Sequence, residues 1–417
     1  MKILWFSNYY FNNREDDKSG TWLGAMGRAL VASNECQLCN ITVGFVSAVT
    51  QENCPPILQF VLPAAWGRMN LPKNDEIEQI LRIIDGFSPD LIHIWGFENY
   101  FGLLASRGYL KDYKVLFDVQ GIQKGIAPFY MGGLSLMEQL KTIRLKEVLK
   151  PTCSLFAQKM AFERFGRHEL EIVKSGVYLS FQSDWSLGWL RSMKPGICGY
   201  KTKRMLRSGF YEAVKWCPTK RSEQPRRVMA VCGINTSYKC AHVLIRAFAE
   251  VLKMFNGNVE LRIAGSCGET GIKRGGYCKF IDSEIDRLGI GRKITFLGPI
   301  NTSRLIEELQ LASVFVHPSL IESYSLAVAE AMYLGVPSVI SYAGAMTELA
   351  EDGKSAMYYP SMDHVTCARR VVELLLDDDL CIRIGQAAIN VGSCRNDFET
   401  VVNRQLEIYD EVLKVRK

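Results

Sequence analysis

A chain of 417 residues is too long for one ordinary hydrophobic core, and with 48% apolar and 23% charged residues it has the make-up of a two-domain globular protein. All of the net charge of +6 lies in the first half: residues 1–215 hold 26 Lys and Arg against 20 Asp and Glu, whereas residues 216–417 hold 24 of each. No recognised nucleic-acid-binding module accompanies that charge, so nucleic acid is not an expected partner, and thirteen scattered cysteines with an initial apolar run too short for an export signal predict reduced thiols and a cytoplasmic location.

In chain order, the first half predicts buried strands near 2–7, 41–46, 90–95, 114–119 and 176–182. Cys36 and Cys39 form a CxxC pair, but with no second ligand pair to complete a zinc site they read as plain thiols. His93 alternates with apolar neighbours and reads as a packed histidine. Two basic clusters follow, Lys141, Arg144, Lys146 and Lys150, then Lys194, Lys201, Lys203, Arg204 and Arg207. Interspersed with apolar residues, they predict either solvated helix faces or a peripheral contact of the N-terminal domain with the inner face of a membrane.

Lys215 to Arg227 is rich in Pro, Lys, Arg, Ser and Glu and reads as a linker. The expected division is therefore an N-terminal, acceptor-side domain over 1–214, a linker over 215–227, a ligand-binding domain over 228–396 and a helix over 397–417 that packs back on the first domain. Beyond the linker, strands near 227–232, 259–264, 293–297, 313–317, 337–341 and 356–359 alternate with helical segments such as Ala241 to Met254, Thr302 to Leu311 and Ser325 to Leu334. Such alternation predicts a parallel sheet with crossover helices. The fold class expected is thus α/β, two Rossmann-like, doubly wound domains facing a central cleft. Leu326 to Met346 is the most apolar later stretch, but Glu330, Gly335 and Pro337 interrupt it as a membrane span.

Chemistry concentrates between His317 and Met332. Glu322 stands just before a predicted helix and Glu330 inside it, at the carboxyl edge of the sheet, where open α/β folds bind ligands. The opening turn of that helix, Ser323, Tyr324, Ser325 and Leu326, presents backbone N–H groups and the positive end of the helix dipole to a diphosphate. Glu322 is placed to accept from sugar hydroxyls and Glu330 from a ribose. Gly265 to Gly268 is a short glycine loop beside the nucleotide or an ordinary turn, and Asp377 to Asp379 reads as a solvated turn between helices.

Glu322 and Glu330, the apolar helix between them and Gly335-Val336-Pro337 resemble the E-x7-E signature of glycosyltransferase family 4. The likeness continues through Ser341 to Leu349 and Glu351-Asp352-Gly353, and upstream through Val231-Cys232-Gly233, Lys239 and Leu244 to Phe248. Asp90 to Gly96 and Val119-Gln120-Gly121 are similar to strand ends of polysaccharide-building members, with fainter support at Asp184-Trp185, Tyr200 and Leu206 to Tyr211. The resemblance implies a GT-B fold and a retaining transfer of sugar from a UDP- or GDP-sugar to a glycan or lipid-linked acceptor, in bacterial surface polysaccharide synthesis. It implies no metal or other cofactor. Lys239 and Glu322 are then the catalytic candidates, with Gly233 and Asn235 beside the donor and Gly20, Glu98 and Gln120 as substrate contacts from the first domain.

The departures are specific. Ile234 stands where an arginine normally joins the lysine on the diphosphate, Cys240 replaces a glycine, Ser323-Tyr324-Ser325 replaces a Gly-Phe-Gly type turn, Gln120 stands at a common histidine position, and the N-terminal glycine loop keeps only Gly20. Two other readings stay open: a degenerate, noncatalytic sugar-nucleotide or glycan-binding partner subunit, and an enzyme of the same architecture with different chemistry, such as a sugar-nucleotide epimerase.

Overall fold

A computed structural model of the protein describes residues 1–12, 21–67, 69–97, 99–149, 154–176, 178–218, 225–268 and 275–415. By their internal contacts they form two compact units, Met1–Lys124 with Glu163–Ser208 and Asn396–Lys417, and Gly125–Phe162 with Gly209–Arg395. Each is an α/β unit built on a mainly parallel sheet, the two Rossmann-like domains of a GT-B fold.

The first unit contains β1 (Lys2–Phe6), β2 (Gln37–Gly44), β3 (Thr50–Cys54), β4 (Ile57–Pro63), β5 (Leu91–Trp95), β6 (Val115–Val119), β7 (Tyr178–Phe181) and β8 (Tyr200–Lys201). They form one sheet in the order β3-β4-β2-β1-β5-β6-β7-β8. Every neighbour is parallel except the β3–β4 hairpin. Strand β5 is buried at every residue, as a parallel strand covered by helices on both faces must be.

The helix Phe398–Lys414 belongs to this unit. Its Tyr409 hydroxyl accepts from Trp5 Nε1 at 2.9 Å and lies 2.8 Å from His93 Nδ1, all three side chains being fully buried. His93 is thus a packing residue, and burial, with the Arg204 charge nearby, holds its pKa well below the usual value. Arg204 itself does not join a basic surface. It is 5% exposed, pairs with Asp118 at 2.6 Å and lies 4.4 Å from the Trp22 ring centre. Lys201 and Lys194 are likewise engaged, with Asp184 and the Gly176 carbonyl.

The second unit contains β9 (Arg226–Val231), β10 (Val259–Ala264), β11 (Ile294–Gly298), β12 (Val314–His317), β13 (Ser338–Ser341) and β14 (Met357–Tyr359), all parallel, in the order β11-β10-β9-β12-β13-β14. The chain winds outward from β9 in one direction, returns to lay β12 against the other side of β9, and winds outward again. The carboxyl ends of β9 and β12 therefore flank the topological switch point, where doubly wound sheets bind their ligands.

The units depart from the expected division at 215 because Gly125–Phe162 packs with the second unit. Glu138 pairs with Arg246 at 2.5 Å, Glu147 accepts from the Gly276 amide at 2.9 Å, and the Tyr130 carbonyl accepts from Ser237 Oγ. The expected linker lies partly outside the described residues, but Trp216 already packs in the second unit, its indole donating to the Ala312 carbonyl at 2.8 Å. Cys36 and Cys39 are buried without a disulfide, and burial raises their thiols to about 11 and about 12. Among the described residues, no helix is long and apolar enough to cross a membrane.

Candidate functional site

Two loops converge at the switch point. After β9 the chain runs through Cys232–Thr236 into a single turn, Ser237–Lys239, and passes Cys240 in a left-handed conformation at φ +54° before the helix Ala241–Met254 begins. After β12 it runs through Pro318–Ser325 into the helix Leu326–Leu334. The Leu320 amide donates to the Tyr238 carbonyl at 2.8 Å, which fixes the two loops side by side.

That contact brings together the two expected catalytic residues. Lys239 Nζ lies 2.6 Å from Glu322 Oε1, and His317 Nε2 lies 3.1 Å from the same oxygen. Glu322 is 7% exposed, yet the ammonium and the imidazole N–H outweigh its burial and hold the carboxyl down to about 2. The carboxylate in turn raises the Lys239 pKa above its ordinary value, against the opposing effect of burial. At neutral pH the pair is fully ionised, so Glu322 is an acceptor and not a proton donor.

Immediately beyond, Ser325 caps the helix Leu326–Leu334, its side chain accepting from the Val328 amide at 3.4 Å. The amides of Leu326 and Ala327 precede the first intrahelical bond, which Ala329 donates to the Ser325 carbonyl. Glu330 is 1% exposed and lies one turn along the helix on the face of Leu326. Ser323 and Ser325 are buried, and Tyr324 is half-buried.

On the β9 side, Gly233 and Asn235 lie beside the loop that follows β10: the Ile234 amide donates to the Ser266 carbonyl at 3.0 Å, and Cys278 Sγ donates to the Ile234 carbonyl. Ile234 is wholly buried, so the position where an arginine was expected contributes packing and no charge. Gln120, just after β6, belongs to the first unit, where its carbonyl accepts from Gln182 Nε2 at 2.9 Å. Gly20 and Glu98 lie outside the described residues. Asp377 to Asp379 is exposed but is not the turn expected: Asp378 and Asp379 open the helix Asp378–Arg395, and Asp377 accepts from the Leu380 amide at 2.8 Å. Among the described residues, no three His, Cys, Asp or Glu side chains converge as a metal site.

Sequence reasoning passed over two features here. His317, the last residue of β12, gives no sign in the sequence that its ring bonds Glu322. Gly344, at φ +57°, comes so close to the Glu322 backbone that a Cβ there would sit 2.1 Å from the Glu322 carbonyl oxygen. The Ala345 amide donates to that same oxygen at 2.9 Å, so the loop after β13 supports the Glu322 loop from behind.

Residues 218–391 match the family model described as "Glycosyl transferases group 1". A D-inositol 3-phosphate glycosyltransferase of Corynebacterium urealyticum is 28% identical over 184 residues, 44% of this chain and 42% of that protein, and the same-named protein of Corynebacterium jeikeium is 30% identical over 162 residues, 39% of this chain and 38% of that protein. The match thus spans about two-fifths of the length of these curated relatives. Among solved structures, a sucrose-phosphate synthase from Thermosynechococcus elongatus superposes with a TM-score of 0.71 at 14% identity, covering 99% of this chain and 98% of that one. Anabaena HepE, solved in complex with UDP and glucose, superposes with a TM-score of 0.69 at 15% identity over 99% and 100% of the two chains. At such identities the likeness concerns the fold.

Proposed function

We propose that the protein transfers a sugar from a UDP- or GDP-sugar to a glycan or lipid-linked acceptor, with retention of anomeric configuration, a reading supported by the match of residues 218–391 to the group 1 glycosyltransferase model. The observation that carries this reading is the Lys239–Glu322 pair at the switch point, beside the amino end of the helix Leu326–Leu334. A diphosphate seated on the Leu326 and Ala327 amides meets the Lys239 ammonium, which supplies positive charge where the leaving group gains negative charge. Both hydrogen bonds to Glu322 fall on Oε1, leaving Oε2 to accept from a hydroxyl of the donor sugar. Glu330 is assigned to the ribose and Gln120 to acceptor binding.

In the transfer, the bond from the anomeric carbon to the diphosphate oxygen breaks and a bond to the acceptor oxygen forms on the same face. The acceptor proton passes to the departing phosphate. No protein carboxylate needs to take it, in keeping with a Glu322 that stays ionised far below neutral pH. We assign the reaction to bacterial surface polysaccharide synthesis and to metal-independent transfer, since Lys239 and the helix amides already provide charge for the leaving group.

The test is nucleotide release over a panel of UDP- and GDP-sugars with glycan and lipid-linked acceptors. Glu322→Gln, which keeps the shape of the side chain, is expected to lower turnover by about 100-fold or more with the fold intact by circular dichroism. The double variant Lys239→Met/Glu322→Gln, which leaves no unpaired charge, is expected to lose nucleotide affinity as well. Wild-type protein that binds nucleotide sugars yet turns over none of the panel would instead favour a noncatalytic partner subunit, the reading to which the uncharged Ile234 lends weight.

A further inference from the structure

The segment between Leu134 and Met160 holds five basic residues, Lys141, Arg144, Lys146, Lys150 and Lys159, against two acidic ones, Glu138 and Glu147. Both acids are engaged by the protein itself. Glu138 accepts from the Ser135 amide at 2.8 Å and pairs with Arg246, and Glu147 is 5% exposed, accepting from the amides of Arg144 at 3.0 Å and Gly276 at 2.9 Å. They anchor the helices Leu136–Lys141 and Leu145–Leu149 to the body of the second unit. What these helices present outward is apolar and basic.

Leu136, Leu145 and Leu149 are 78%, 74% and 76% exposed, Met137 and Phe156 are 69% and 65%, and Lys141 and Arg144 stand exposed among them. Isolated exposed leucines are ordinary, but a contiguous group rimmed by one sign of charge marks a contact surface. A cavity of about 500 Å³ opens beside Leu136, Leu140, Ile143 and Phe156, with the anchoring Glu147 and other polar residues in its wall.

We propose that this face docks on an anionic lipid bilayer, its leucines and Phe156 entering the acyl region while Lys141 and Arg144 meet the headgroups. Short amphipathic helices lying in the plane of the interface bind lipid in this way, by apolar burial together with attraction to anionic headgroups. The engagement of both carboxylates argues for a negatively charged partner: Glu138 is paired with Arg246 and Glu147 is buried, whereas Lys141 and Arg144 stand exposed. The inference goes beyond glycosyl transfer and does not rest on it, since binding is measured without donor or acceptor.

The face is also tied to the candidate site. Gly132, at φ +67°, lies so close to the Ser237–Lys239 turn that a Cβ there would sit 2.2 Å from the Ser237 carbonyl oxygen.

Co-sedimentation of the full chain with extruded vesicles of phosphatidylcholine alone, and with 30 mol % phosphatidylglycerol (a proportion of roughly this size giving an anionic surface), tests the proposal. Binding is expected to the anionic vesicles, weakening in high salt. Leu145→Ser/Leu149→Ser and Lys141→Glu/Arg144→Glu alter exposed side chains only and are each expected to lower that binding about tenfold or more, with unchanged thermal unfolding. Three outcomes would overturn the proposal: no vesicle binding by the wild type, binding unaffected by both double variants, or a wild-type dimer that the leucine variants dissolve while neither protein binds vesicles.

Discussion

Tyr409 shows how much of the first unit hangs on one hydroxyl. It accepts from Trp5 Nε1 and faces His93 Nδ1 in a region from which water is excluded. Tyr409→Phe leaves both ring nitrogens without that partner at almost no change in volume. A loss of about 2–4 kcal/mol is expected, from an unmet cost of about 1–3 kcal/mol for each group, measured as the shift in urea unfolding free energy. The contribution of Glu322 is of another kind. Its carboxyl titrates at about 2 because of Lys239 and His317, so the stability it contributes is present at neutral pH and is lost as pH falls from the ordinary carboxyl range near 4.5 through 2.

At the scale of elements, the site depends on loops held from behind. Gly344→Ala puts a methyl against the Glu322 backbone and forces an alanine to φ +57°, and neither can relax without moving the Glu322 loop. We expect about 2–4 kcal/mol of destabilisation together with weaker nucleotide binding, measured by urea unfolding and by titration with UDP and GDP. The strands of the second unit were legible in the sequence to within a residue or so, since fully buried parallel strands are short apolar runs bounded by glycine, proline and polar turns. The position of Glu322 after a strand was legible in the same way, whereas Lys239 was marked out only by the resemblance to the family, and that the two side chains meet is visible only in the fold. The β3–β4 hairpin was not legible. Thr50-Gln51-Glu52-Asn53-Cys54 is a polar edge strand followed by two prolines, and edge strands lack the apolar signature of central ones. The support from Gly344 could not be read either, because a glycine reveals a close approach only once the approaching backbone is known.

Over the whole molecule, two wholly buried histidines, His93 in the first unit and His242 in the second, add to the loss of stability in acid. His242, which bonds the Tyr277 hydroxyl at 2.8 Å, has its pKa lowered from 6.5 to about 4 by burial and by the Arg246 charge, and His93 is lowered in the same direction. Their unfolded forms take up protons first, so stability falls as pH drops below about 6.5, by about 3 kcal/mol for His242 alone once pH reaches 4. Denaturant unfolding of the full chain between pH 7 and pH 4 is expected to show that slope, and His242→Gln to flatten it. A slope unchanged by the substitution would assign the loss elsewhere.

The chain re-enters the first unit twice and the second unit once, and this discontinuity orders the folding of the protein in time. Strand β1, among the first residues to be synthesised, receives its Tyr409 partner only after the entire second unit has been made. The second unit has all its segments in hand first, while the N-terminal sheet waits with the Trp5 and His93 side of its core uncovered, a span in which a nascent chain is most exposed to aggregation.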